Sequence, residues 1–450
     1  MKLLSGFTRA EKSWMMYDWA NSAHSVVVVT ILPIFYESLT HNSTEAVARW
    51  GTGTSVAMLI IALFAPILGV LGDFQHWKKR LFTGFVILGV LACAAMAPVP
   101  FLQVDANAEA LGLALLILYI LSTVGFAGAN LYYDSFLPEV TTNERMDRVS
   151  TVGYGLGYIG GSTIPLLIFL LMNLAGIAMN LCLSVAFGLT AVWWVVFTIP
   201  LWKNVHQTHF VPRRQGVLKE SMKNLASTAR RIVRNKTMLV FLLAYFFYID
   251  GVGTIIHMST IYGSALGIDA TQMLLALLLV QVLGLPFVLV YTRLAARFGA
   301  RTMVGVGILI YSGVCVFGFF VQQAWQFWVL AILVSTSQGG IQALSRSVFG
   351  KMLPEKERSS EFFGFYDIFG KFSAIMGPAL FGGVVAWVGD WLMRRQGIVE
   401  AEASAETLDA IARQASPWGV LSVLLIFLVG GALYLSLIHI SEPTRPEPIS

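Results

Sequence analysis

Charge is scarce in this sequence. Asp, Glu, Lys and Arg make up 12% of its 450 residues, about half of the roughly 25% found in ordinary globular proteins. That leaves too few solvated side chains to clothe several soluble domains. Cysteine is nearly absent, and Cys93, Cys182 and Cys315 all fall in apolar runs, too far apart for a metal-ligand pattern. There is no Gly-x-x-x-x-Gly-Lys-Ser/Thr loop, no His-Glu-x-x-His pair and no nucleophile elbow. Direct use of ATP is therefore not expected, nor is metal-dependent or acyl-transfer catalysis. The chain is expected to be no enzyme and to carry no cofactor. Gly155-Leu-Gly157-Tyr-Ile-Gly160 matches a dinucleotide loop by letter, but it lies inside an apolar run rather than between a strand and a helix. With Gly153 and Gly161, Gly157 instead makes a strip at four-residue spacing, suited to close helix packing.

What is abundant is apolar. Hydrophobic residues account for 56% of the chain and mean hydropathy is +0.72. At about 20 residues per membrane-spanning helix, the chain has room for on the order of twelve spans and little else. Apolar runs occur at Trp14 to Leu39, Trp50 to Leu71, Leu81 to Leu102, Ala110 to Tyr133, Val149 to Met172 and Leu181 to Trp202. Six more follow at Thr237 to Tyr262, Gln272 to Thr292, Thr302 to Gln322, Gln326 to Phe349, Phe362 to Val388 and Pro417 to Leu435. The expected architecture is an all-α integral membrane protein with six-helix bundles over 14–202 and 237–435, joined by a basic linker over 203–236. Ser436 to Pro446 reads as a non-native tail, and no cleavable signal peptide is expected ahead of the first run.

The net charge of +5 does not point to nucleic acid, because Lys and Arg sit in short clusters between apolar runs. The clusters Lys2/Arg9/Lys12, Lys78-Lys79-Arg80, Arg145/Arg148, the linker, Arg293/Arg297/Arg301 and Lys351/Lys356/Arg358 alternate with connections that carry few basic residues. By the positive-inside rule both termini are expected in the cytoplasm, with the protein in the plasma membrane. The linker, with Arg213-Arg214, Lys219, Lys223 and Arg230-Arg231, reads as an amphipathic connector on an anionic leaflet.

Ionisable side chains inside spans are costly, so each defaults to a functional hypothesis. In the first run Asp18, Asn21 or Ser22, and Ser25 share a face by i, i+3 and i+4 spacing, with His24 beside it. Asn130 and Asp134 stand one turn apart in the fourth run, where Asp134 has Arg145 or Arg148 as candidate partners. Asp250 lies past the middle of the seventh run. Gln338, Gln342 and Arg346 descend one face of the tenth. Asp367 and Lys371 form an i, i+4 pair in the eleventh, acid first, the favourable order for a helical ion pair. Together these residues form the expected substrate and proton pathway.

Two features suggest duplication. Leu137-Pro138-Glu139, Glu144-Arg145 and Gly153-Tyr154 recur as Leu353-Pro354-Glu355, Glu357-Arg358 and Gly364-Phe365. Gly69-Val-Leu-Gly-Asp73 with Lys78-Lys79-Arg80 resembles the signature between the second and third helices of the major facilitator superfamily, and Leu294, Arg297-Phe298-Gly299 and Arg301 resemble its weaker copy. Phe74, His76 and Ala296 depart from that pattern. Within the superfamily, Tyr17-Asp18-Trp19-Ala20-Asn21-Ser22, Asn130-Leu-Tyr-Tyr-Asp134-Ser-Phe-Leu-Pro-Glu139 and Gln338-Gly-Gly-Ile-Gln342-Ala-Leu-Ser-Arg346-Ser resemble the vacuole-effluxer branch, over essentially Trp14 to Leu435. This resemblance implies the major facilitator fold with two pseudo-symmetric halves. It implies a cytoplasmic latch at Asp73, with Arg145, Arg148 and Arg297 as further gating residues. It also implies alternating-access transport of a small polar or zwitterionic solute such as an amino acid, with protons as the coupling ion, by a monomer in the lipid bilayer. The competing expectations are proton-coupled export of amphipathic compounds and a non-transporting membrane sensor.

Overall fold

The computed structural model describes all residues except 1–3, 41–43, 103, 213–226, 399–403 and 442–450. The expected connector residues Arg213, Arg214, Lys219 and Lys223 lie outside the described residues. Among those described the architecture is helical, and the only β-type pairing is an isolated bridge between Phe74 and Val211. The helices are α1 (Arg9–Val26), α2 (Leu32–Leu39), α3 (Thr44–Gly72), α4 (Trp77–Met96), α5 (Val104–Ser135), α6 (Leu137–Val140), α7 (Met146–Leu156), α8 (Ile164–Leu174) and α9 (Met179–Asn204). After the linker come α10 (Lys236–Ala265), α11 (Ala270–Phe298), α12 (Ala300–Phe319), α13 (Ala324–Lys351), α14 (Ser359–Gln396) and α15 (Ala405–Ser441). Eleven helical stretches among the described residues are long and apolar enough to cross a membrane. Helix α1 carries Arg9, Glu11, Lys12 and Asp18 and is not among them, but it continues through a π-helical segment, Val27–Ile31, into α2, and together these cover the first expected span, Trp14 to Leu39, which completes the twelve.

Local chemistry fixes where helices begin and turn. Thr8 and Glu11 form a reciprocal capping box at the start of α1. Asn235 caps α10, and the Asp269 carboxylate accepts two N–H groups of α11. Between α3 and α4 the chain reverses through His76 at φ +66°. Where the superfamily pattern expects Gly, a side chain therefore holds the left-handed turn for which Gly would be strain-free.

The chain divides into two compact units. The first comprises Met1–Thr228, Gln281–Thr292 and Arg346–Ile368; the second comprises Ala229–Val280, Arg293–Ser345 and Phe369–Ser450. In the first, one aromatic core gathers Trp14, Tyr17, Phe82, Tyr132, Tyr133 and Trp194, and an aliphatic one gathers Val28, Ile31, Leu32, Met96 and Phe187. In the second, α10 packs along α15, with Phe427 over Gly251 and Tyr311 stacked on Phe427 at 5.4 Å. Large side chains such as Leu63, Leu91 and Leu309 remain uncovered. Water would oppose that arrangement, whereas lipid accommodates it, since hydrocarbon is the solvent of these faces.

The glycine strip lies where close packing requires it. A Cβ at Gly153 would stand 2.6 Å from the Asp18 carboxylate, one at Gly157 2.6 Å from Ser22 Oγ, and one at Gly161 2.6 Å from the Trp19 carbonyl oxygen. The π-helical stretch Gly157–Thr163 thus presses directly on α1.

Candidate functional site

Arg346, near the end of α13, is the centre of the polar constellation in the first unit. It is 2% exposed. Its Nη2 donates to Asp18 Oδ2 at 3.2 Å and its Nη1 to Asp134 Oδ1 at 3.0 Å. Nε donates to Ser150 Oγ at 3.0 Å, and Nη2 also reaches the Ser150 carbonyl. The guanidinium carbon stands 4.6 Å from the Trp14 ring centroid, 4.5 Å from that of Tyr154 and 5.2 Å from that of Tyr133. Trp14 and Tyr133 stack at 4.4 Å, and the Trp14 indole N–H is held by the Tyr133 carbonyl. A planar cation bridged between two carboxylates and boxed by aromatic faces is a role that Arg fills and Lys does not. Gly153 leaves room for Asp18, because a side chain there would meet its carboxylate.

Four of the residues expected in the pathway are brought together around this centre, and others lie elsewhere. Asn21 donates to Asn130 Oδ1 at 2.7 Å, one turn above the Asp18–Asp134 pair. Asp134 pairs with Arg346 and not with Arg145 or Arg148. The reason is local: Arg145 is engaged by Glu11 at 2.7 and 2.8 Å, and Arg148 lies over the Phe7 ring. His24 is stacked on Phe126 and tilted against Trp194, an aromatic slot beside the α1 face. Gln338 and Gln342 share α13 but belong to the second unit, where the Gln342 amide donates to the Gln338 carbonyl. Asp367 belongs to the first unit and is near enough to Asp134 to act on it electrostatically, whereas Lys371 belongs to the second. Asp250 is fully buried in the second unit. Arg297 is exposed, over the ring of Phe298.

At the basic-loop end of the first unit, Asp73 caps α14. Its Oδ1 accepts the Ser360 N–H at 2.8 Å and its Oδ2 the Glu361 N–H at 2.9 Å, placing a carboxylate on the positive end of a helix dipole. Lys78 supports this seat. Fully buried, its Nζ donates to Glu139, to Ser359 Oγ at 2.8 Å and to the Ser135 carbonyl. The stretch after α9 straps the same loop, since the Val211 N–H donates to the Asp73 carbonyl at 2.8 Å and Gln207 to that of Gly72. In the sequence Lys78 stands as an orientation signal and as part of the signature motif, with no partner of its own. The signal that would have found it is Glu139, the acid of the repeated Leu-Pro-Glu motif.

Burial pushes the Asp73 carboxyl up to about 7, against the pull of Lys78 and the two N–H groups. A solvated aspartate titrates near 4, at about 3.9, so a proton favours the seated carboxyl. The seat should weaken as pH rises from there to about 7 and change no further above it. A cysteine at the buried Ser360, its reactivity normalised to that of an exposed cysteine, should report this slope, and Asp73→Asn should remove it. A flat profile with Asp73 intact would take this residue out of the latch.

The sequence matches the family described as vacuole effluxer Atg22 like over residues 52–391. It is 46% identical over 389 residues to the uncharacterized MFS-type transporter YxiO of Bacillus subtilis (strain 168), covering 84% of this chain and 89% of that protein. Autophagy-related protein 22-2 of Aspergillus clavatus is 29% identical over 273 residues, 52% of this chain and 43% of that protein, so the chain spans less than half the fungal relative's length. Among solved structures, a bacterial homologue of the iron transporter ferroportin superposes with a TM-score of 0.64 at 14% identity, covering 96% of this chain and 100% of that one. The major facilitator superfamily transporter FucP superposes with a TM-score of 0.63 at 12% identity, covering 99% and 100%. At such identities these two speak for the fold alone. The family match and the Bacillus relative together place the chain in the Atg22-like vacuole effluxer family, as a multi-pass membrane transporter of the major facilitator type and not an enzyme.

Proposed function

We propose that this protein moves small zwitterionic solutes, amino acids being the class, across a bacterial plasma membrane by alternating access, as a monomer with both termini in the cytoplasm. The observation that carries the reading is Arg346 held between Asp18 and Asp134. Breaking a buried ion pair by removing one partner is costly because it strands a charge. A zwitterion avoids that cost, since its carboxylate can take the place of an aspartate on Arg346 while its ammonium takes the place of Arg346 on the aspartate. A solute with one sign of charge cannot make both exchanges. The family name, vacuole effluxer, agrees with movement of a solute across a membrane.

The experiment is exchange in proteoliposomes. Purified protein reconstituted with a labelled amino-acid mixture inside should show saturable release when unlabelled amino acids are added outside, and no release to amines or carboxylic acids lacking the opposite charge. If amphipathic cations move while no amino acid does, export of amphipathic compounds replaces this reading. If nothing moves while the protein remains folded, a sensor does.

A further inference from the structure

A second polar site belongs to the second unit and contains buried polar atoms that the substrate reading leaves unexplained. Asp250 on α10 is 0% exposed, and its Oδ1 accepts the Gly377 N–H of α14 at 2.9 Å. That is its one hydrogen bond among the described residues. Among the described residues its Oδ2 has no partner, and neither has Oγ1 of Thr254, which is 1% exposed and stands one turn further along the same face. Gly377 brings the three groups together: a Cβ there would fall 1.9 Å from Thr254 Oγ1 and 2.8 Å from Asp250 Oδ1. A glycine is thus needed for α14 to approach, and the next residue, Pro378, has no N–H and weakens the helix ladder at the same place.

Among the described residues no charged group pairs with this carboxyl. On α10 itself the nearest titratable side chains are Tyr245, Tyr248 and His257; Tyr248 is bonded to Ser345 and the His257 ring to the Gly253 carbonyl. Elsewhere in the second unit stand Tyr434 on α15, which packs along α10, Tyr311 on α12, which packs on α15, and Lys371 on α14, and among the described residues no ion pair joins any of them to Asp250. An unpaired carboxylate inside a span is among the costliest groups a membrane protein can carry.

We infer that Asp250, with Thr254 and the Gly377 N–H, is a proton-binding site that couples proton movement to the approach of α14 to α10. The inference rests on the transporter reading for its coupling role, though not for the site itself. One proton removes the buried charge: Oδ1 keeps the Gly377 N–H and Oδ2 becomes a neutral O–H. A hard metal cation is bound by about six or more oxygens, whereas the side-chain oxygens found here among the described residues are the two of Asp250 and Thr254 Oγ1. Withdrawal of α14 at Pro378 hydrates the carboxyl and lets the proton leave; the ionised carboxylate then opposes re-approach. The proton is taken up as a whole ion and released as one, with no bond to substrate.

Asp250→Asn is the decisive variant, because the amide copies the uncharged acid in shape, with Oδ1 still accepting from Gly377. In proteoliposomes a one-unit pH difference supplies about tenfold solute accumulation per coupled proton. The unsubstituted protein should show that accumulation, together with proton flux reported by a trapped pH dye. Asp250→Asn should abolish both and keep solute exchange within about threefold, since its hydrogen bond to Gly377 is retained. Infrared spectra of the purified protein provide a readout independent of transport: a protonated-carboxyl band distinct from the one lost in Asp73→Asn should be present and should vanish in Asp250→Asn. Undiminished pH-driven accumulation in Asp250→Asn, accumulation driven by a sodium gradient instead, or the absence of that band would each overturn the site. If no solute exchanges in the unsubstituted protein, the transporter reading fails and the infrared band still decides the proton site.

Discussion

Arg346→Gln is expected to abolish amino-acid exchange, and Arg346→Lys to restore less than about a tenth of it, because a single ammonium cannot bridge two carboxylates, reach Ser150 and stack on three rings at once. Loss of activity alone would not separate substrate binding from packing. Removing Arg346 strands Asp18 and Asp134 and should cost about 3–5 kcal/mol of stability, visible as a lower melting temperature in detergent. The variant carrying Asp18→Asn, Asp134→Asn and Arg346→Gln together makes the distinction, since it keeps approximate shape and removes all three charges. Its melting temperature should return most of the way to that of the parent while exchange stays abolished. If exchange returns with stability, the constellation is a structural clamp, and the substrate site lies elsewhere.

The helices were legible because composition, run length and basic-loop alternation all act locally. Interruptions of the first and fifth spans were not, since π-helical segments at Val27–Ile31 and Gly157–Thr163 have no period that an apolar run reveals. The members of the site were legible one by one, as ionisable residues in apolar surroundings. Their partners were not. Asp134 has two arginines close by in sequence, but Glu11 and Phe7 engage them, leaving a cation 212 positions away to complete the pair. Periodicity relates residues within one helix, as for Asp367 and Lys371, and says nothing of which neighbouring helix competes for them. The same limit hid Thr254 and Gly377, since neither becomes notable until α14 lies on Asp250. The Asp73 loop was read through its motif, and the structure adds why its departures are tolerated: His76 accepts the left-handed turn, and the capping carboxylate does not depend on Phe74.

The glycine strip sets the second large effect. At Gly161 an added methyl group would meet the Trp19 carbonyl oxygen and Ser22 Cβ at 2.6 Å and the Ala23 nitrogen at 3.0 Å. Two of these three atoms are backbone, so no rotamer change can relieve the clash. Either α1 moves away from the π-helical segment or that segment rewinds. Overpacking of this kind costs about 1–3 kcal/mol, and more where backbone must yield. Gly161→Ala should therefore lower the melting temperature by several degrees. Gly84→Ala is the matched control, in the middle of α4 with nothing within 4 Å of the added Cβ, where removal of a helical glycine should gain about 0.4–1 kcal/mol. The displacement should also reach the site, because Asp18 and Ser22 sit on the stretch of α1 that Gly153, Gly157 and Gly161 admit. Exchange should then fall further than the loss of folded protein explains, and more for Gly161→Ala than for Gly157→Ala, where one close atom is a hydroxyl that can rotate. Equal melting temperatures for Gly161→Ala and Gly84→Ala would mean that α1 does not approach this segment closely, and the position of Asp18 against Arg346 would lose its support.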